Sequence, residues 1–496
     1  MKQRFFNGRT RDGEPLELFV ENGVFVAPGA CSANHDLEGR TVVPGFVDAH
    51  CHIIPMGLDL QKLNLSPCST KDEVLDLLRS WVAAHPGPWF QAVQYDQTRF
   101  ADCQHLTRHD LDHVVPDWPV ILRHSNGHAS VANSKALELA GIDEAVSDPA
   151  GGTFVRDESG HLTGVLLERA HEFVTSKAPA PTLDDMTDAV LRAAQQMSKL
   201  GITCATDMMT GRWNLELELQ AYRRASERGC PIRLRMFAQW ATVLGPKKMD
   251  PGKRADILAQ MDTDRCRLNG LKIFADGAIG SATAAISGQY LTTGGDGQLI
   301  YSPERFKEMF RSADAEGWQV AVHSIGDRST DLVMDAMSAV PDPSRHRIEH
   351  AMLLSDDQIE RLSSLNPFVT MQPEFLKCFG HAYQKQLGGA RAWSIKRFRS
   401  VKEAGLRLSF SSDRPIVPGD PWDGIESAVQ RPVGFDPSES VTLSEAMDLY
   451  TVESARVNGD HGRLGSLDLG CLADFQTYDR LDRDGLRQVY FNGVLV

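Results

Sequence analysis

From residue 182 to residue 413 the sequence alternates, seven times over, between a helical pattern and a short apolar run. Helical spacing of apolar residues occupies 184–200, 215–228, 255–261, 303–315, 329–340, 356–365 and 395–404. Strand-like runs follow each at 202–207, 232–237, 271–275, 319–323, 346–350, 368–372 and 406–413. Parallel strands need a crossover of a dozen or more residues between them, so this alternation predicts a parallel sheet. An eighth run, Val42-Val43-Pro44-Gly45-Phe46-Val47-Asp48-Ala49-His50-Cys51-His52, comes earlier and makes the first strand. Eight such units predict an α/β fold, a closed (β/α)8 TIM-type barrel.

The texture outside these units sets the domain plan. Between 57 and 181 lie a helical stretch at 71–84, short apolar runs at 89–95 and 120–123, and a short helical pattern at 134–140 stopped by Gly141. This is read as an insertion after strand 1. Both ends of the chain carry short strands beside Asn7-Gly8, Asn22-Gly23 and Asn492-Gly493, a strong hairpin signal. The expected plan is a small β-sandwich from residues 1–44 and 457–496, a barrel from 45–56 and 182–456, and an insertion subdomain at 57–181.

The formal net charge of −14 gives no basic footprint for nucleic acid. The expected partner is a small molecule, with homo-oligomer formation left open. Nine cysteines, without a CxxC pair, do not make a disulfide framework. The first residues lack the apolar core of a signal peptide, and no run reaches the roughly 18 apolar residues of a membrane span. A cytoplasmic location is expected.

In an extended strand alternate side chains share a face, so His50 and His52 point the same way, close enough to grip one cation, and Cys51 points oppositely. In a barrel, functional groups sit at the carboxyl ends of the strands. There the chain places His50 and His52 (strand 1), Lys272 (strand 4), His323 (strand 5), His350 (strand 6) and Asp413 (strand 8). Imidazoles with a carboxylate suit zinc or a similar divalent ion. For each residue a plainer role is open: His350 paired with Glu349, His323 or Asp413 capping a turn or helix. A lysine among apolar neighbours is costly as an ammonium unless it is neutralised or paired. Carbamylation of Lys272 by carbon dioxide would make it an anionic ligand able to bridge two metals; an ion pair with Asp207 or Asp276 is the alternative. Glu168, ending the run 164–168, competes for the bridging role.

The chain resembles the amidohydrolase superfamily, and within it amidohydrolase family 3, the YtcJ-like branch. The resemblance rests on Pro44-Gly45-Phe46-Val47-Asp48-Ala49-His50-Cys51-His52, Leu271-Lys272-Ile273-Phe274-Ala275-Asp276-Gly277-Ala278, His323-Ser324-Ile325-Gly326-Asp327, Arg347-Ile348-Glu349-His350-Ala351 and Ser411-Ser412-Asp413, and on the tail from Gly465 to Phe475. It implies a metal-dependent barrel enzyme that hydrolyses a non-peptide carbon–nitrogen bond of an amide, formamide or cyclic amide through a metal-activated water. On that reading His50, His52 and Asp413 hold one metal, His323 and His350 a second, carbamylated Lys272 bridges them, and Asp413 moves the proton. His128 becomes a substrate-binding candidate, as does Arg414, which could reach a substrate carboxylate. Two alternatives stay open: a mononuclear deaminase of the same superfamily, needing only His50, His52, His323 and Asp413, and a non-catalytic scaffold of the same ancestry.

Overall fold

A computed structural model describes residues 1–85, 87–125, 127, 129–149 and 152–496. The chain divides into two compact units, one made of Met1–Met56 with Leu183–Val496 and one of Gly57–Thr182.

In the first unit eight parallel strands pair in chain order: Phe46–Cys51, Ile202–Thr210, Arg233–Gln239, Cys266–Phe274, Gln319–Ser324, Arg347–His350, Phe368–Met371 and Arg407–Phe410. The eighth returns to the first through two backbone bonds just past the strand ends, Asp413 N–H to His50 O (2.7 Å) and His52 N–H to Arg414 O (2.8 Å). The result is a nearly closed parallel α/β barrel. Its helices bury one stripe each. Helix Pro303–Ala315 starts at a Ser302 cap with proline in its first turn, and buries Phe306, Met309, Phe310 and Ala313 at helical spacing. Helix Asp356–Leu365 is started by a Ser355/Gln358 capping box and ended by left-handed Asn366.

Strand 1 begins later than the sequence pattern implies. Val42 and Val43 belong to Thr41–Pro44, which pairs antiparallel with Phe475–Tyr478, whereas Phe46–Cys51 pairs with Ile202–Thr210 in the barrel. Gly45 is the junction: a Cβ there would lie 2.1 Å from Thr203 Oγ1, so only glycine lets the chain cross from one sheet to the other. Strands from both ends of the chain join in one sheet, in the order Val494–Leu495, Leu486–Phe491, Phe475–Tyr478, Thr41–Pro44, Gln3–Arg9, Pro15–Glu21 and Val24–Phe25, with Ala33–Asp36 also on Gln3–Arg9. Phe5, Phe25, Phe475 and Tyr490 fill its core. Two buried arginines of barrel strand 3 are tied to the C-terminal segment: Arg233 to Asp474 (2.7 and 2.9 Å) and Arg235 to Asp460 (2.8 and 3.1 Å).

Helices Glu374–Leu387 and Gly389–Trp393 stand between strand 7 and its barrel helix Phe398–Glu403, a segment where the sequence reading placed no element. The second unit has its own six-stranded sheet, ordered Gly152–Arg156, Leu162–Glu168, Ala129–Ala132, Val120–His124, Phe90–Tyr95 and Leu63–Asn64. Helices Lys71–Ala84 and Arg108–Val114 each begin at a capping box, and they bury Val74, Leu78 and Leu111 in a core shared with the sheet. Among the described residues no helix is long and apolar enough to cross a membrane.

Candidate metal centre

The carboxyl ends of the barrel strands bring His50, His52, Lys272, His323, His350 and Asp413 to one mouth, and all but His323 are at most 8% exposed. One ligand atom each from His50, His350 and Asp413 lies within 4.8 Å of the others. The rings of His50 and His350 are 4.9 Å apart, those of His323 and His350 4.5 Å, and those of His50 and His52 5.6 Å. Two of these groups owe their aim to unusual backbone. His350 and Asp413 have φ of 74° and 64°, left-handed values that non-glycine residues adopt only when their surroundings hold them there.

Three of the four imidazoles are oriented by a partner on one nitrogen. His50 Nδ1 is 2.6 Å from Glu349 Oε2, His350 Nδ1 is 2.8 Å from Gln372 Oε1, and His323 Nε2 is 3.0 Å from Gly277 O. These acceptors place a proton on the bonded nitrogen and leave the other with a bare lone pair, the arrangement that orients metal-ligating histidines. Glu349 is itself gripped by Arg347, through a bond from Nε to Oε1 and one from Nη2 to Oε2 at 3.1 Å. Arg347 also donates to Ala49 O (2.9 Å) and Thr370 Oγ1 (3.0 Å), so a fully buried polar layer floors the site. Glu349 therefore pairs with His50, not with His350.

The donor set fits a divalent cation. Asp413 Oδ1 is buried 2.9 Å from His52 Nε2 and 3.4 Å from His50 Nε2, yet no hydrogen bond reaches it, and His52 Nδ1 is equally without one. A buried carboxylate oxygen facing the bare Nε2 of His50, with the His52 ring beside it, is a donor set that a cation completes. Burial holds the imidazolium forms of His50 and His350 well below the usual 6.5 and that of His323 at about 4. Burial alone would raise the Asp413 carboxyl, but His50, His52 and Lys272 outweigh it and hold it below its ordinary value. Burial lowers Lys272 to about 8 against the pull of Glu349 and Asp413, the acidic groups that act on it in place of Asp207 and Asp276.

The remaining sequence candidates stand elsewhere. Arg414 is 5% exposed, and the charges acting most on it are Asp48, Cys51, Glu374 and Asp420; its Nε and Nη1 have no hydrogen-bond partner. Glu168 ends strand Leu162–Glu168 of the second unit, at φ 51° and ψ −122°. His128 lies outside the described residues. Sequence reasoning missed the orienting residues Arg347, Gln372 and Lys396 altogether. Lys396 is fully buried, and its Nζ donates to His350 O (3.1 Å) and Gln372 Oε1 (2.8 Å).

Residues 35–496 match the amidohydrolase family. The chain belongs to the amidohydrolase family. It is accordingly an enzyme, a hydrolase of carbon–nitrogen bonds other than peptide bonds. Among its relatives are the putative amidohydrolase YtcJ of Bacillus subtilis, 29% identical across 94% of this chain and 91% of that one, and the N-substituted formamide deformylase of Arthrobacter pascens, 30% identical across 90% and 84%. An uncharacterized metal-dependent hydrolase from Pyrococcus furiosus superposes with a TM-score of 0.77 at 27% identity, covering 97% of this chain and 99% of that one.

Proposed function

We propose that this amidohydrolase uses a divalent metal centre to cleave a small amide, formamide or cyclic amide, releasing an amine. The observation that carries the reading is the buried, unbonded Asp413 Oδ1 beside His50 Nε2 and His52 Nε2, with the other nitrogen of His50 already taken by Glu349. On this reading His50, His52 and Asp413 hold one zinc ion and His323 and His350 a second. Lys272 joins them as a carbamate, formed when its neutral amine adds carbon dioxide and releases a proton. A lysine lowered to about 8 supplies that amine near neutral pH. A divalent ion supplies Lewis acidity and lowers the pKa of water towards 7.

The chain's own residues then hold the geometry and move the proton. Glu349 and Gln372 fix the tautomers of His50 and His350. Asp413, kept ionised, takes the proton from the attacking water and passes it to the departing nitrogen. The formamide class is supported by the activity named for the Arthrobacter relative. A net charge of −14 supports a small-molecule rather than a nucleic-acid partner, and nine unpaired cysteines support a reducing, cytoplasmic setting. We read the terminal sheet as a small β-sandwich and Gly57–Thr182 as a subdomain inserted after strand 1.

A one-metal site is the second reading, favoured by the tight grouping of His50, His350 and Asp413 alone. Metal analysis per chain decides between them, with the mass of the peptide bearing Lys272 under native conditions. Two equivalents and a gain of one carbon dioxide are expected. One equivalent with unmodified Lys272 selects the mononuclear site. Function is tested by amine release from N-formyl amines and cyclic amides. Asp413→Asn is expected to lower turnover about 10²- to 10⁴-fold; turnover that survives Asp413→Asn or exhaustive chelation overturns the proposal.

A further inference from the structure

We propose that the metal centre serves amides carrying an aromatic group, and that Phe274 and a row of rings on helix Glu374–Leu387 hold that group beside the histidines. The inference rests on the amide reading above and names its substrate class. Phe274 closes strand Cys266–Phe274 two residues after Lys272, so both side chains point to the same side, the barrel mouth. Its ring centre lies 5.2 Å from Lys272 Nζ and 5.2 Å from the centre of the His323 ring. On the other flank the Phe375 ring lies 6.3 Å from that of His350 and within 17° of parallel to it. Phe379 follows 5.3 Å from Phe375, and Tyr383 6.2 Å from Phe379. Two aromatic walls thus flank the His323–His350 pair.

The helix is tied down where its rings meet the mouth. It starts just after strand 7, with Phe375 beside His350, and its far end is fixed to the loop after strand 4. There Gln386 Nε2 donates to Gly280 O (2.9 Å), and Gln386 O accepts from Leu291 N–H (2.8 Å). Phe379 and Gln386, four and eleven residues after Phe375, share its helix face. The edge bearing the rings therefore runs from His350 towards the strand that carries Phe274. Asp413 is the charged group acting most on the Tyr383 hydroxyl, in keeping with a row that faces the metal ligands. Rings that only filled a core would be sealed. Phe274 and Phe379 are half-buried instead, and at 14% the His323 side chain is the most exposed of the four imidazoles. Aromatic walls with a few polar groups at one end are what a small-molecule site offers an apolar ligand, and a phenyl group packs on such rings edge-on or offset.

The test uses the zinc-loaded full-length chain and two substrate pairs, each differing by one phenyl group. N-(2-phenylethyl)formamide is compared with N-ethylformamide, and N-methyl-phenylacetamide with N-methylacetamide, so the ring sits on nitrogen in one pair and on carbon in the other. In at least one pair kcat/KM is expected to favour the phenyl member about 10- to 100-fold, the worth of burying such a ring. Phe274→Ala and Phe379→Ala are each expected to lower that ratio about tenfold. A merely structural role would lower both members of the pair alike and leave the ratio in place. No preference in either pair overturns the proposal, as does a preference that neither variant moves. If Phe274→Ala does not fold, Phe274→Leu replaces it. If no amine is released from any of the four, the amide reading itself fails, and equilibrium binding of the same compounds, followed by ligand NMR, judges the rings. Tighter binding of a phenyl member that Phe379→Ala abolishes supports them, and equal binding within both pairs overturns them.

Discussion

Glu349→Gln separates what the floor of the site does for the fold from what it does for the metal. Glu349 is fully buried and takes both oxygens' worth of bonding from Arg347 and His50. A glutamine keeps the shape but loses the charge, and its amide nitrogen must face either the guanidinium or His50 Nδ1–H. Breaking a buried ion pair by removing one charge costs about 3 to 5 kcal/mol. The lower end applies here, because Arg347 keeps Ala49 O, Thr370 Oγ1 and Asn458 Oδ1 as acceptors. The expected loss of stability is therefore about 3 kcal/mol, read as a lower denaturant midpoint in the metal-free protein. The loss at His50 is independent of this. Removing the acceptor that fixes a ligating histidine costs about 10- to 100-fold in metal affinity, or about 1.4 to 2.7 kcal/mol. A buffered zinc titration reads that second quantity directly. A variant that is less stable yet binds zinc like wild type would refute the role of Glu349 in orienting His50. One that matches wild type in both would refute the buried ion pair as well.

Two further perturbations test the frame around the site. His346 is fully buried, accepts from Val320 N–H at Nδ1 (3.1 Å) and sits 3.1 Å from Asp314 Oδ1 through Nε2, and burial lowers it to about 4. The unfolded chain takes up this proton below about 6.5 and the folded one does not, so about 3 kcal/mol present above pH 6.5 is lost as pH falls towards 4; urea midpoints across that range should fall in wild type and flatten in His346→Gln. Asp474→Asn removes the charge paired with Arg233, both groups being at most 3% exposed, and should cost about 3 kcal/mol in the denaturant midpoint while turnover per folded molecule stays unchanged.

Periodicity carried the barrel because each unit repeats the same physical demand, an apolar strand and a one-faced helix, and Pro303–Ala315 and Asp356–Leu365 fall where their spacing and caps place them. Helix Glu374–Leu387 escaped because it adds a helix where the alternation already had one, in Ile395-Lys396-Arg397-Phe398 onward. The ligand candidates were legible as polar residues at the ends of apolar runs. Their orienting partners were not, and the sixth strand shows the physical reason. Strict alternation lets only one of Glu349 and His350 face the barrel centre, so a pattern that selects His350 must reject Glu349. The left-handed backbone at His350 breaks the alternation: Glu349 reaches His50 from the strand while His350 swings to meet Gln372 and the His323 ring. That conformation is held by contacts distant in sequence, Lys396 on the His350 carbonyl and Ser324 O on Ala351 N–H (3.0 Å). The candidate ligands are thus visible in the local pattern of this chain, whereas the geometry that brings them together is set by long-range bonds that violate it.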